Sequence, residues 1–212
     1  MILVGLTGGI GAGKSVVSAQ LAQHGAVIVD ADEIVRRLQQ PGQPVLREMV
    51  GRFGSEILAA SGHLDRALLA TRVFGDQQAL ADLNAIVHPA VGREMLAQID
   101  AHRDTDAVLV LDVPLLVENP RTRLCGVLVV DLAPETAVAR LVAQRGLDEA
   151  DARARIARQA SRTVRRLAAD WIIDNSGSRR DLACEVAAAW RWMCSLPPAG
   201  PGAGRLSGSP DS

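Results

Sequence analysis

Between a short apolar run, Ile2 to Leu6, and a stretch of helical character stands Gly8-Gly9-Ile10-Gly11-Ala12-Gly13-Lys14-Ser15, with the spacing G-x-x-x-x-G-K-[ST]. So much glycine at one point leaves no side chains to pack, and the chain there has to be a loop. A buried strand entering the loop and a helix leaving it bring backbone N–H groups, and the positive end of the helix dipole, to one point. Phosphate oxygens suit that point. Gly9, Ile10, Gly11, Ala12, Gly13, Lys14, Ser15 and Val16 are therefore the candidate triphosphate contacts. Lys14 reaches the β- and γ-phosphates, and the Ser15 hydroxyl is placed to ligate Mg²⁺. A glycine-rich strand-to-helix turn matching by chance is the other reading, and the elements on either side count against it. Of the 23 lysines and arginines in the chain, only Lys14 is a lysine. Arginine is a planar fork and lysine a compact, mobile point charge, and the loop has room for the second.

Strand and helix then alternate: helix Lys14 to His24, stopped by Gly25, and strand Ala26 to Val29. Val108 to Asp112, Val127 to Asp131 and Trp171 to Ile173 add further strands, and helices open at Pro134 and run from Arg180 to Cys194. This pattern predicts an α/β fold with a parallel sheet covered by helices on both faces. Pro41 to Arg103 is different, being helical throughout, with Val45, Met49, Val50 and Phe53 at helical spacing and helices around Arg66 to Val73 and Gln77 to Ala101. That length is too great for a simple crossover and predicts an inserted lobe, which in a phosphate-transferring enzyme would hold the acceptor. Pro89 predicts a kink or a split in the last of these helices.

Ligands of open α/β sheets bind at the carboxyl ends of strands, which draws attention to Asp30-Ala31-Asp32 and Asp112. Asp30 reads either as a ligand or as the cap of a helix from Ala31 to Leu38, leaving Asp32 as the better general base. Asp112 reads as a holder of Mg²⁺-bound water or as a cap of the next turn. After it, Pro114-Leu115-Leu116-Val117-Glu118 suits a pocket edge, although the leucines could equally be core. His88 reads as a satisfied core or capping histidine or as an acceptor contact. Beyond Arg140 and Arg145, a helix beginning near Asp148 carries Arg155, Gln159, Arg162 and Arg166 on one face. With no acid after Asp151, that face is cationic and suits phosphate charge, or is simply a solvated surface.

At net charge -1 the chain has no general attraction for nucleic acid, and with no tyrosine it has few rings to stack on bases. No segment nears the ~20 apolar residues of a membrane helix, and the N-terminus lacks the basic region of a signal peptide. Cys125, Cys184 and Cys194, odd in number and far apart, read as reduced core thiols of a cytoplasmic protein. Residues 197–212, rich in Pro, Gly and Ser, read as a disordered tail.

Together, Leu6 to Ser15, Asp30-Ala31-Asp32, Asn84-Ala85-Ile86-Val87-His88-Pro89, Pro114 to Glu118 and Ala169-Asp170-Trp171-Ile172-Ile173-Asp174-Asn175 resemble the dephospho-CoA kinase family. The resemblance implies a P-loop NTPase fold, a three-layer α/β/α core with a five-stranded parallel sheet, an inserted helical substrate lobe and a helical lid. A family-like domain would span residues 1–196, with a core of about 1–30, 104–142 and 163–196, a lobe of about 31–103 and a lid of about 143–162. The implied reaction is ATP- and Mg²⁺-dependent phosphorylation of the ribose 3′-hydroxyl of dephospho-CoA, the last step of CoA biosynthesis. On the family pattern, residues 11–16 wrap the ATP phosphates, Lys14, Asp32 and Arg140 carry catalysis, and Arg140, Arg145 and Asn175 lie near the nucleotide. Asp32, Arg66, His88, Leu115, Leu116, Glu118 and Arg155 fall to the acceptor, and Ser15 and Asp112 to the metal. Val16 replaces a usual threonine, Val117 a phenylalanine and Pro120 a glycine. Another small-molecule kinase of the same fold, or a nucleotide switch, stands beside this reading, as does an open oligomeric state. A guanine-reading N-K-x-D segment is excluded because the chain has no second lysine.

Overall fold

A computed structural model describes residues 1–205. The leading apolar run forms β1 (Ile2–Gly8), and after the glycine loop come α1 (Lys14–Gln23) and β2 (Val27–Asp30). Later strands are β3 (Val108–Asp112), β4 (Gly126–Asp131) and β5 (Trp171–Asp174), giving a parallel sheet of order β2-β3-β1-β4-β5. β1 lies at its centre, parallel to β3 and β4, so Leu6 stands beside both Asp112 and Leu128. A strand hydrogen-bonded on both edges and covered on both faces must be apolar throughout, which is why β1 does not alternate. Leu3, Val4 and Leu6 are fully buried.

The chain divides into two compact units, one comprising Met1–Val29 with Ile99 onward and the other Asp30–Gln98. In the first, α1 and the later helix α9 (Arg179–Cys194) pack one face of the sheet, joining Val17 and Leu21 to Leu182, Val186 and Met193 in one core. Each such side chain contributes about 1.5–3 kcal/mol by leaving water. On the other face Gly5 leaves the space that Leu116 and Leu124 fill. In the second unit, α2 (Ala31–Leu38), α3 (Pro44–Phe53) and α4 (Arg66–Val73) precede the long α5 (Gln77–Asp100), which continues into the first unit. Val45, Leu46, Met49, Phe53 and Ile57 are among its buried apolar side chains, and Arg52 pairs with Asp82 at 2.6 Å.

Several sequence expectations change. α5 is unbroken through Pro89, so proline does not split it. The single helix expected from Asp148 is two, α7 (Glu149–Ala157) and α8 (Arg162–Leu167), following α6 (Pro134–Arg145). Ser161 makes the break by capping α8, its hydroxyl accepting from the Val164 N–H. The cationic positions therefore do not share one helix face. α9 (Arg179–Cys194) is opened by a reciprocal Ser178–Asp181 capping box, and its Cys184 and Cys194 are exposed rather than core thiols. Residues 197–205 are held to the rest of the unit at points: the Ala199 N–H donates to Met1 O, Gly204 N–H to Thr122 O, and Ala203 is fully buried, while Pro197, Pro198, Gly200 and Pro201 are exposed. Small residues there let the backbone lie close to the apolar side chains of Leu3 and Ile99. The expectation of a disordered tail is thus corrected for 197–205, and the rest of it falls on 206–212, outside the described residues. Among the described residues no helix is long and apolar enough to cross a membrane.

Candidate active site

The glycine loop is shaped from inside and fastened from outside. Gly11 (φ 79°) and Gly13 (φ 92°) take left-handed conformations that a side chain would strain, and the Ala12 N–H donates to Gly9 O at 3.0 Å. A Cβ on Gly13 would also run into the Asn175 amide. Buried Asn175, at the end of β5, donates to Ala12 O at 2.7 Å, and its own carbonyl accepts from Arg140 Nη2 at 2.8 Å. Asn175 thus ties the loop to β5, and Arg140 of α6 ties Asn175. The family pattern places Asn175 near the nucleotide; its hydrogen bond to the loop, at a sequence separation of 163, leaves no local sequence signal.

Lys14, in the first turn of α1, forms an ion pair with Asp112 at the end of β3. Asp112 is almost wholly buried, so its carboxylate has to meet a cation or donors, and Lys14 supplies one. No group of three or more His, Cys, Asp or Glu side chains poised to hold a metal occurs among the described residues. The Ser15 hydroxyl and the Asp112 carboxylate are nevertheless hard oxygen donors, the kind Mg²⁺ accepts beside waters and phosphate oxygens, so they fit that ion. Just past β3, Thr7 Oγ1 donates to Pro114 O at 3.0 Å and steadies the turn at residues 114–118. Within it Leu115 is exposed, whereas Leu116 is buried against Gly5 and belongs to the core, not to a pocket edge.

Some charges of the segment expected to be a lid, and of α8 at its end, are taken up by protein partners. Arg162 grips Asp131 with two hydrogen bonds, at 2.9 and 2.8 Å, and Arg166 adds one at 2.5 Å. Arg162, ahead of Arg166, holds the Asp131 carboxyl below the usual carboxylate range against the opposing effect of burial. Arg153 of α7 clasps Glu135 of α6 in a fork, at 3.0 and 2.7 Å. Between α7 and α8, Gln159 Oε1 accepts from the Ile10 N–H at 2.8 Å, and Glu118 accepts from the Ala160 N–H at 2.7 Å. The Arg165 guanidinium bonds Ala160 O and covers Gly9, and burial lowers its pKa while Glu118 and Asp131 oppose that. Glu118 therefore holds the linker between α7 and α8. Arg145 and Arg155 are exposed and have no partner among the described residues.

In the second unit Asp30 caps α2, accepting from the Asp32 and Glu33 N–H groups at 2.8 and 3.0 Å. Its cap role leaves the exposed Asp32, in the first helical turn, as the carboxylate with no such duty. Arg66 reaches Gln39 Oε1 at 3.5 Å over a groove of about 280 Å³ lined by Val35, Leu64, Leu69, Val73 and Leu83. His88 is exposed on α5 and is not a core histidine.

The dephospho-CoA kinase family model matches residues 2–181. The dephospho-CoA kinase of Thermobifida fusca is 50% identical over 191 residues, 90% of this chain and 95% of its own. A Thermus thermophilus protein of known crystal structure is similar at a TM-score of 0.75 and 34% identity, covering 90% of this chain and 97% of that one. The dephospho-CoA kinase of Campylobacter jejuni shares the fold at a TM-score of 0.64 and 22% identity, over 90% of this chain and 96% of its own. With the loop, the Lys14–Asp112 pair and the parallel sheet in place, these likenesses settle the matter of kinship: the chain belongs to the dephospho-CoA kinase family.

Proposed function

We propose that the protein transfers the γ-phosphoryl group of ATP to the ribose 3′-hydroxyl of dephospho-CoA, completing coenzyme A in the cytoplasm, where its free thiols stay reduced. The observation that carries the proposal is Lys14, on a glycine loop held open by Asn175, paired with a buried strand-end carboxylate. Phosphoryl transfer needs positioning and charge neutralisation more than covalent help. The acceptor oxygen bonds to the γ-phosphorus as the bond to the β,γ-bridging oxygen breaks, ADP leaves, and the hydroxyl proton passes to the Asp32 carboxylate. The loop N–H groups cradle the phosphates, and Lys14 exchanges Asp112 for the γ-phosphoryl oxygens. Ser15 and Asp112 would hold Mg²⁺, which offsets charge on the β- and γ-phosphates. Arg140 fixes the loop through Asn175, while Arg145 and Arg155, exposed and without a partner among the described residues, are cations available for phosphate charge. Arg66, with the apolar groove beside it, and His88 are the acceptor-side groups of the second unit, together with Leu115 in the turn after β3.

A coupled assay with ATP, Mg²⁺ and dephospho-CoA tests this. Wild type forms CoA, and Asp32→Asn lowers kcat by about 10²–10⁴-fold, the range expected for loss of a general base. Absence of CoA from the wild-type reaction overturns the proposal.

A further inference from the structure

The lid linker meets the glycine loop at one peptide plane. That plane joins Gly9 to Ile10: its carbonyl accepts from the Ala12 N–H at 3.0 Å, and its N–H donates to Gln159 Oε1 at 2.8 Å. One end is thus held from within the loop and the other from the linker between α7 and α8. Glycines at 8, 9 and 11 leave this stretch little side-chain packing of its own, so an outside acceptor restricts it most. The linker in turn is immobilised at the next residue, where Glu118 takes the Ala160 N–H at 2.7 Å and Arg165 takes the Ala160 carbonyl. The Arg165 guanidinium also lies over Gly9, where an added Cβ would come within 2.7 Å of Nη2 and the arginine would have to shift.

We propose that Gln159 is a positioning residue for the nucleotide: it orients the Gly9–Ile10 peptide, and through Ala160 it makes the lid linker and the phosphate loop respond together. The proposal rests on the loop being the triphosphate site. Gln159 touches no reacting atom and acts only through the Ile10 amide. A neutral acceptor is suited to the task. It holds the N–H without placing negative charge beside phosphates, which a carboxylate would do.

Calorimetric titration with ATP, alongside kinetics in ATP and in dephospho-CoA, tests it on wild type, Gln159→Leu and Gln159→Glu. Gln159→Leu is expected to weaken ATP binding and raise the KM for ATP by about five- to tenfold, the effect of one lost hydrogen bond. The KM for dephospho-CoA stays within about twofold. Gln159→Glu keeps the acceptor and the fold, yet binds ATP less well at neutral pH and regains affinity as the pH falls into the carboxylate range. The leucine variant lacks that pH dependence. Unchanged ATP affinity in a folded Gln159→Leu protein overturns the proposal. So does an equal loss in both substrates with no pH signature in Gln159→Glu, which would mark a merely structural residue. If wild type itself binds no ATP, the triphosphate reading fails instead, which is a separate result.

Discussion

At the scale of single residues, the loop depends on glycine in two separable ways. Gly13 has both a positive φ and the Asn175 amide where a Cβ would sit, whereas Gly42 has φ 86° and open space around it. Gly42→Ala is therefore expected to cost about 1 kcal/mol of strain, and Gly13→Ala about 2–3 kcal/mol as crowding adds to it. Chemical denaturation of the two variants measures the difference, and ATP titration should show about tenfold weaker binding only for Gly13→Ala, because the Asn175–Ala12 hydrogen bond is displaced. Equal losses in the two variants would show that Asn175 does not brace the loop. Gly13 was legible in the sequence because its spacing repeats a known physical solution. Asn175 was visible as a polar residue after a strand, but its target, Ala12 O, was not, since nothing local encodes a contact between β5 and the loop.

Among elements, α8 depends on one carboxylate. Asp131 is 4% exposed and its partners Arg162 and Arg166 are 41% and 46% exposed, so solvent screens the cationic side of the cluster. Asp131→Asn is expected to cost roughly 1–2 kcal/mol, less than the ~3–5 of a fully buried pair. The sign of the pH effect follows from the lowered Asp131 pKa. In acid the unfolded chain binds this proton first, so the contribution is whole above the ordinary carboxylate pKa of about 3.9 and vanishes as pH falls through the lower folded value. Thermal unfolding of wild type and Asp131→Asn from about pH 7 downward should therefore converge only in strong acid. The sequence placed the strands well because each is a nearly continuous apolar run that periodicity and length distinguish from helix. It misplaced the boundary at Ser161, where a helix-forming arginine pattern outweighed a single capping hydroxyl. Weighed as a cap, Ser161 separates α7 from α8, yet the grip of Arg162 on Asp131 is hidden by a sequence separation of 31.

For the molecule as a whole, the division at Asp30–Gln98 puts the glycine loop, Lys14 and Asp112 in one compact unit and Asp32, Arg66 and His88 in the other. The insertion was readable from its length and its unbroken helical pattern. What could not be read was how charge is distributed, because a count of arginines does not reveal which are neutralised by Glu135, Asp131 or solvent. The lone lysine turns that distribution to experimental use. Lys14 is the one side-chain amine in a chain whose other fixed cations are guanidiniums, so an amine-acylating reagent that leaves arginine untouched addresses a single side chain. Intact-mass spectrometry should show one side-chain modification that ATP prevents and dephospho-CoA alone does not. Acylation at an equal rate with and without ATP would count against Lys14 as a phosphate ligand. The residue that follows the phosphoryl group is thus also an occupancy gauge, readable without measuring turnover.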